Sequence, residues 1–301
     1  MSPEQIRLEQ LRIEQMRVKR SFARAAQSYD EAAVLQREVN DHLLERLDYI
    51  HFTPLSILDV GAGTGYASRA LQTRFARANI FALDLAHPML QVAGSHDNLL
   101  TRMNRKLGKA RLNFVNARAE QLPIASNSMD MVYSNLTMQW INDLDAVLSE
   151  FTRVLKPGGM LLFSTFGPDT LQELRSSWSA VDSFSHVSPF LDMHDIGDAM
   201  LRARLAEPVM DVEHFTLTYS DVYQLMRDLK AIGAHNATNQ RARGLTGKAR
   251  FKLLEQQYEA FRQQDMLPAS YEVVYGHGWK PETMQQQTTT ASVSLDSLVK
   301  R

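Results

Sequence analysis

Residues 57–65 read ILDVGAGTG, and no other stretch limits the fold so tightly. Ile57 to Val60 is a short apolar, largely branched run of the kind that forms a buried strand. Gly61, Gly63 and Gly65 follow at alternate positions, and YASRALQTRF then opens a helix with Ala67, Ala70, Leu71 and Phe75 on one side. A glycine-rich turn between strand and helix lets the backbone approach a ligand where a Cβ would clash. The helix N-terminus behind it offers unpaired N–H groups to an anion. The spacing is G-x-G-x-G rather than the dinucleotide pattern G-x-G-x-x-G, and an acid, Asp59, stands two residues before the first glycine. A second predicted strand, 79–83, is followed directly by Asp84. A carboxylate there, roughly 20 residues after the glycines, suits the hydroxyls of a ribose. It also suits the N-cap of a helix over 87–100, and the two roles are compatible.

The rest of the chain alternates. Strands are expected near 56–60, 79–84, 111–116, 129–135 and 160–166, with helices near 65–76, 87–103, 142–155 and 169–181. That rhythm predicts a doubly wound, mostly parallel sheet with right-handed crossovers. LKPGG at 155–159 reads as a turn ending a helix and starting a strand. After 167 the rhythm changes. Residues 168–205 read as a helical insertion, and 215–219 and 270–279 as the last two of seven strands, joined through helices at 220–233 and 248–264. Ahead of the sheet, 4–20 reads as an exposed or frayed helix and 30–50 as a packed one. The division is therefore a helical extension and cap over 1–50, a main domain over 51–281, and a polar, disordered tail over 282–301.

Composition serves mainly to exclude. Thirty-three basic side chains against 34 acidic ones give no global attraction to nucleic acid or a membrane. The absence of Cys removes disulfides, thiolate metal sites and a Cys nucleophile. No apolar run has transmembrane length and no signal-peptide pattern is present, so a cytoplasmic location is expected. The nine His are scattered without metal-ligand spacing; His186, His194, His235 and His277 read as structural.

Together the pieces resemble the class I S-adenosylmethionine-dependent methyltransferases over roughly 20–280. NARAEQLP (116–123) is similar to the loop that frames the adenine, and DMVYSNLTMQW (130–140) to strand four and the turn facing the reactive methyl. The resemblance implies a seven-stranded Rossmann-like sheet and a cofactor site of Asp59, Gly61, Ala62, Gly63, Gly65, Asp84, Leu85, Met89, Ala117, Arg118, Ala119 and Asn135. One position departs: Arg118 stands where an Asp commonly accepts from the adenine amino group, and Arg has no acceptor. It can stack on the base or point to solvent.

The flanks narrow the resemblance. VKRSFARAAQSYDEAAVLQ (18–36), FSTFGPDTLQELR (163–175), FLDMHDIGDAM (190–200), LKAIGAHN (229–236) and YEVVYGHGW (271–279) look like the malonyl-acyl-carrier-protein O-methyltransferases of biotin synthesis. The implied reaction methylates the free carboxylate of a malonyl thioester on acyl carrier protein or coenzyme A. Such a carboxylate is ionised at neutral pH, its pKa being about 4, so no general base is needed. Orientation can supply on the order of 7–11 kcal/mol. A cation should grip the second carboxylate oxygen, and Arg suits that geometry. Arg175 is the first candidate, otherwise a solvated helix-face residue; Arg24 is the second. Tyr29 and Phe22 are expected either to close over the site or to pack in the core. From Arg227 to Lys252 seven cations accompany a single acid, Asp228. This strip is either a docking face for an acidic carrier or ordinary solvated surface. A monomer is expected. Two rivals stand beside this reading: methylation of another small acid or quinone precursor, and an assembly factor acting on a partner protein.

Overall fold

A computed structural model describes residues 12–97, 101, 103, 107, 111–239 and 247–282. Seven strands form one sheet in the order β3-β2-β1-β4-β5-β7-β6. They are β1 (Ser56–Val60), β2 (Asn79–Asp84), β3 (Leu112–Asn116), β4 (Met129–Ser134), β5 (Leu155–Phe166), β6 (Ala206–Tyr219) and β7 (Leu267–Trp279). The first five run parallel, and β7 is antiparallel to both its neighbours. Consecutive side chains of β1 serve opposite faces. Ile57 packs in one layer with Val39, Leu43 and Leu71, and Leu58 in the other with Val147 and Phe151. This is why apolar residues stand on both faces of the strand, Asp59 apart: helices cover both faces.

The helices are α1 (Gln15–Ala25), α2 (Tyr29–Ala32), α3 (Val34–Glu45), α4 (Tyr66–Arg74), α5 (His87–Ser95), α6 (Leu144–Val154), α7 (Gln172–Ser179), α8 (Met193–Arg202), α9 (Val222–Ala231) and α10 (Lys248–Tyr258). Asn40 of α3 is buried and accepts from the Tyr133 hydroxyl of β4 at 2.7 Å, which fixes the N-terminal segment to the sheet.

Several boundaries differ from the sequence reading. Of the helix placed over 4–20, residues 4–11 lie outside the described residues; the described helix runs from Gln15 to Ala25 with Val18 and Ala25 buried, so this part is packed rather than frayed. The helix over 30–50 is broken into α2, α3 and a short 3-10 turn at Arg46–Tyr49. LKPGG does not precede β5 but lies inside it. Met129 pairs with Leu155 and Met131 with Met160, so the extra residues bulge out, with Gly158 at φ +74°. β6 starts nine residues earlier than expected. It is the sheet edge, where Pro208, Asp211 and Glu213 are tolerated because one side of the strand needs no partner. The tail after 282 lies outside the described residues. No described helix is long and apolar enough to cross a membrane.

Candidate active site

The carboxyl ends of β1, β2, β4 and β5 open onto a cavity of about 330 Å³. This is where an open α/β sheet binds ligands, beside the point at which strand order reverses. Its first half is built by the turns the sequence singled out. Gly61 and Gly63 line it, with φ +77° and +53°. A Cβ on Gly61 would lie 1.9 Å from Thr137 Oγ1, so the turns after β1 and β4 meet only because glycine is there. A Cβ on Gly63 would meet nothing within 4 Å: the backbone is bare toward the cavity.

Asp84 lines the same space. Its carboxylate accepts from the Gly63 N–H at 2.9 Å and the Ala86 N–H at 2.7 Å. Burial pushes this carboxyl up to about 6, against the pull of those two N–H groups. Asp84 does not cap the following helix; the N-cap residue of α5 is Ala86. Leu85, Met89, Ala117, Arg118, Ala119 and Asn135 also line the cavity. The Asn116 side chain donates to the carbonyls of Asp84 and Leu85, which ties the loop after β3 to the end of β2. Arg118 is exposed at the edge and pairs with Glu120 at 3.1 Å. Asn135 is held at both ends, donating to the Gln36 carbonyl at 3.0 Å and accepting from the Ser164 hydroxyl at 2.6 Å. Next to it Leu136 adopts φ +46°, an uncommon conformation for a branched side chain, and its N–H is fixed by Ser164.

Three of the expected cofactor contacts stand behind the surface. Asp59 is 1% exposed, does not line the cavity, and accepts from the Ser68 hydroxyl at 2.5 Å. Burial pushes its carboxyl up to about 7, helped by the nearby Asp84. Strand alternation turns it toward α4 rather than the ligand. Ala62 and Gly65 likewise shape the turn without lining the cavity.

The lid comes from the N-terminal segment. Phe22 of α1 meets Trp140 edge-on at 5.4 Å between ring centroids and Tyr29 at 6.4 Å. All three line the cavity. The Tyr29 hydroxyl is held well above its ordinary pKa by burial and by the Asp84 and Asp30 carboxylates, so it remains a phenol.

The second half is largely apolar: Phe166 at the end of β5, Leu171, Leu174, Trp178 and Phe190 from the segment after it, Phe251 of α10 and Tyr271 of β7. Arg175 is not among them. Leu171, Leu174 and Trp178 share one face of α7, and Arg175 sits one residue off it. Its guanidinium turns back to the Thr170 carbonyl at 2.6 Å on the exposed side. Arg24 is also exposed and outside the lining. His186, read from the sequence as structural, lines the cavity. Its ring stacks on Trp178 at 3.7 Å and 4°, and its Nε2 lies 2.8 Å from Asp182 Oδ1. Arg250 approaches the other Asp182 oxygen at 3.5 Å. Burial alone would raise the Asp182 carboxyl; the bonds from His186 and the Phe184 N–H and the charges of His186 and Arg250 outweigh it and hold it below its ordinary value. The i to i+4 spacing of Asp182 and His186 is the only trace of this pair in the sequence. Among the described residues no group of His, Asp and Glu could hold a metal ion.

The fit to S-adenosylmethionine can be judged from these groups. A bare glycine backbone, a carboxylate with two backbone donors already in place, and an apolar floor of Leu85 and Met89 match a zwitterion, a ribose diol and a base. The family described as "Methyltransferase domain" matches residues 58–163. Solved structures agree on the fold. The YcgJ protein of Bacillus subtilis is similar with a TM-score of 0.54 at 18% identity, over 80% of this chain and 98% of that one. Phosphoethanolamine N-methyltransferase 2 of Haemonchus contortus, solved with S-adenosyl-L-methionine, gives 0.51 at 19%, over 85% and 56%. Fold and site thus define a class I methyltransferase that uses S-adenosylmethionine. Among curated relatives, the malonyl-[acyl-carrier protein] O-methyltransferase of Laribacter hongkongensis is 52% identical over 87% of this chain and 88% of its own length. That of Methylovorus sp. is 51% identical over 88% of each, and that of Legionella pneumophila 35% over 94% and 97%. The chain belongs to the malonyl-[acyl-carrier protein] O-methyltransferase family.

Proposed function

We propose that this chain methylates the free carboxylate of a malonyl thioester borne on acyl carrier protein. The observation that carries the reading is the turn between the two halves of the cavity. Residues 134–140 supply Asn135, Leu136, Thr137, Gln139 and Trp140 to its wall, and no Asp, Glu or His. When bound, S-adenosylmethionine would supply an electrophilic methyl on a sulfonium sulfur, which an ionised carboxylate can take without a base as the neutral thioether, S-adenosylhomocysteine, leaves. The chain's own residues then have three tasks. Asp84 and the glycine turn fix the cofactor. Phe22, Tyr29 and Trp140 exclude water, so that orientation and charge act in a dry site. Asp182 accepts from His186 Nε2–H, and Nδ1, an acceptor in the neutral ring, donates to the carboxylate oxygen that does not react only when the ring carries its second proton. That role is given to His186 because it lines the cavity and Arg175 does not.

Carrier recognition rests on α9 and α10, where Arg227, Lys248, Arg250 and Lys252 are exposed. Arg250 is partly spoken for by Asp182, and the others are open to an acidic partner. A methyl ester hides one charge, which suits a product destined for apolar chain elongation such as the biotin route. The enzyme acts as a monomer in the cytoplasm.

The test is incubation with labelled S-adenosylmethionine and malonyl, succinyl and acetyl thioesters, followed by mass spectrometry. Methyl ester on malonyl alone is expected. Methylation of a quinone precursor or of a partner protein instead would replace this reading.

A further inference from the structure

The segment after α9 is pinned along α1. Glu14 N–H donates to the Ala237 carbonyl at 2.8 Å, Arg17 Nε to the Asn236 carbonyl at 3.2 Å, and the Ser28 hydroxyl to the Ala231 carbonyl at 3.2 Å. Gly233, at φ +74°, lets the two come together: a Cβ there would stand 3.2 Å from Ala25 Cβ and 3.3 Å from the Phe22 ring. This junction brings several cations to the mouth of the cavity. Lys230 and His235 line it. Arg17 and Arg24, seven residues apart and so on one face of α1, stand exposed beside them. Arg17, Arg24 and Lys230 all act electrostatically on His235, which burial and these three charges hold below its ordinary pKa. Neither Arg24 nor Lys230 has an acidic partner among the described contacts.

Two exposed cations without an acidic partner among the described contacts, Arg24 and Lys230, stand at the mouth of an apolar half-cavity and suit an anion there. The malonyl carboxylate is not that anion, because it must lie inside, beside the turn at 134–140. The second anion of such a substrate is the phosphate at the far end of its pantetheine arm, which is uncharged along its length. We propose that Arg17, Arg24, Lys230 and His235 form a phosphate subsite for the pantetheine arm. The subsite rests on the malonyl thioester reading for its ligand. It serves carrier-borne and coenzyme A thioesters alike, since both carry that phosphate, whereas the docking face on Lys248 and Lys252 serves the carrier alone. Charge-assisted hydrogen bonds to one phosphate favour arms that bear it by about ten- to a hundredfold.

Two measurements test it on the full chain. In the first, kcat/KM is compared for malonyl-pantetheine, malonyl-phosphopantetheine, malonyl-coenzyme A and malonyl carrier, in wild type and in Arg24→Gln/Lys230→Gln. Wild type should favour malonyl-phosphopantetheine over malonyl-pantetheine by about ten- to a hundredfold, chiefly through KM. The double variant should lose most of that ratio, and its losses on coenzyme A and carrier thioesters should match. A wild-type ratio near one, or a ratio the variant preserves, overturns the subsite. Loss on the carrier alone does so too, because it assigns these cations to the protein surface. In the second, phosphopantetheine and pantetheine are titrated by calorimetry, with no methyl transfer involved. Phosphate-dependent binding that the double variant abolishes supports the subsite even if no malonyl thioester reacts, an outcome that would sink only the reaction reading. Equal binding of the two arms overturns the subsite. Thermal melts of the variant check that these exposed substitutions leave the fold intact.

Discussion

The Gly63 N–H donates to the Asp84 carboxylate at 2.9 Å, so the glycine turn after β1 and the acid after β2 are one device. The bond orients a carboxylate at the cavity wall and leaves the Gly63 backbone bare on the cavity side. A second donor, the Ala86 N–H, completes the fixing. The two residues are 21 apart in the chain and meet because β1 and β2 pair in parallel register, Val60 against Leu83.

Asp84→Ala should therefore weaken S-adenosylmethionine by about 1.5–3 kcal/mol, the scale of lost charge-assisted hydrogen bonds. A pH signature accompanies it. The carboxyl sits at about 6, so it protonates as pH falls through that value and ceases to accept from ribose hydroxyls. Wild-type affinity should be level above about pH 6 and fall below it, and the variant should lack this fall. Calorimetry between pH 5 and 8 checks both. Equal affinity of the two proteins at pH 8 would leave Asp84 as a backbone pin and nothing more.

Asp59 leads to a stability prediction rather than a binding one. Its folded carboxyl is raised from 3.8 to about 7. A raised group contributes stability that is fully present below its unfolded pKa and lost as pH rises through the folded one. The cofactor-free wild type should lose on the order of 3 kcal/mol between pH 4 and pH 8 from this group. Asp59→Asn removes the charged form and should flatten that decline. Denaturant melts across the range decide it; parallel pH profiles would mean that Asp59 does not titrate between these values.

The contrast between these two acids shows what a sequence carries. Both stand near the carboxyl ends of neighbouring parallel strands, and the period of a strand says only that neighbours point opposite ways. Which one faces the ligand depends on the helix packed behind, here Ser68 of α4. The sheet was legible because buried parallel strands are unbroken apolar runs. β6 was half hidden because an edge strand needs apolar residues on neither every position nor both faces. Arg175 could not be placed because α7 begins after Leu171, at φ +55°, and the starting residue sets which positions face inward. His186 was illegible because it reaches the cavity from a loop, where no period exists to read.

The docking face predicts an ionic-strength effect. Arg227→Glu/Lys248→Glu/Lys252→Glu should lower kcat/KM for the malonyl carrier by about tenfold or more and flatten its decline with salt. Malonyl-coenzyme A should be affected much less, since it has no protein surface to steer. Arg250 is left in place because reversing it would put a like charge beside Asp182. Equal losses on both substrates would point to damage within the cavity.

The last prediction sets His186 against Arg175. If the Asp182-held ring meets the malonyl carboxylate, His186→Asn should lower kcat/KM by about ten- to a hundredfold, the scale of one hydrogen bond to a charged group. S-adenosylmethionine affinity should not change, because the ring lies in the other half of the cavity. Asp182→Asn should lose activity in the same direction by a smaller factor, since the ring stays stacked on Trp178 while its anionic partner is gone. Arg175→Ala should cost little, as its guanidinium bonds the Thr170 carbonyl beside Asp169 and does not line the cavity. A readout beyond rate separates gripping from packing. Wild type should bind the malonyl thioester more tightly than its methyl ester, the product, and His186→Asn should bind the two nearly alike. Were Arg175→Ala the variant to lose both activity and that preference, the guanidinium would have to swing from Thr170 into the cavity when substrate arrives. The grip would then belong to Arg175, and His186 would be a packing residue against Trp178.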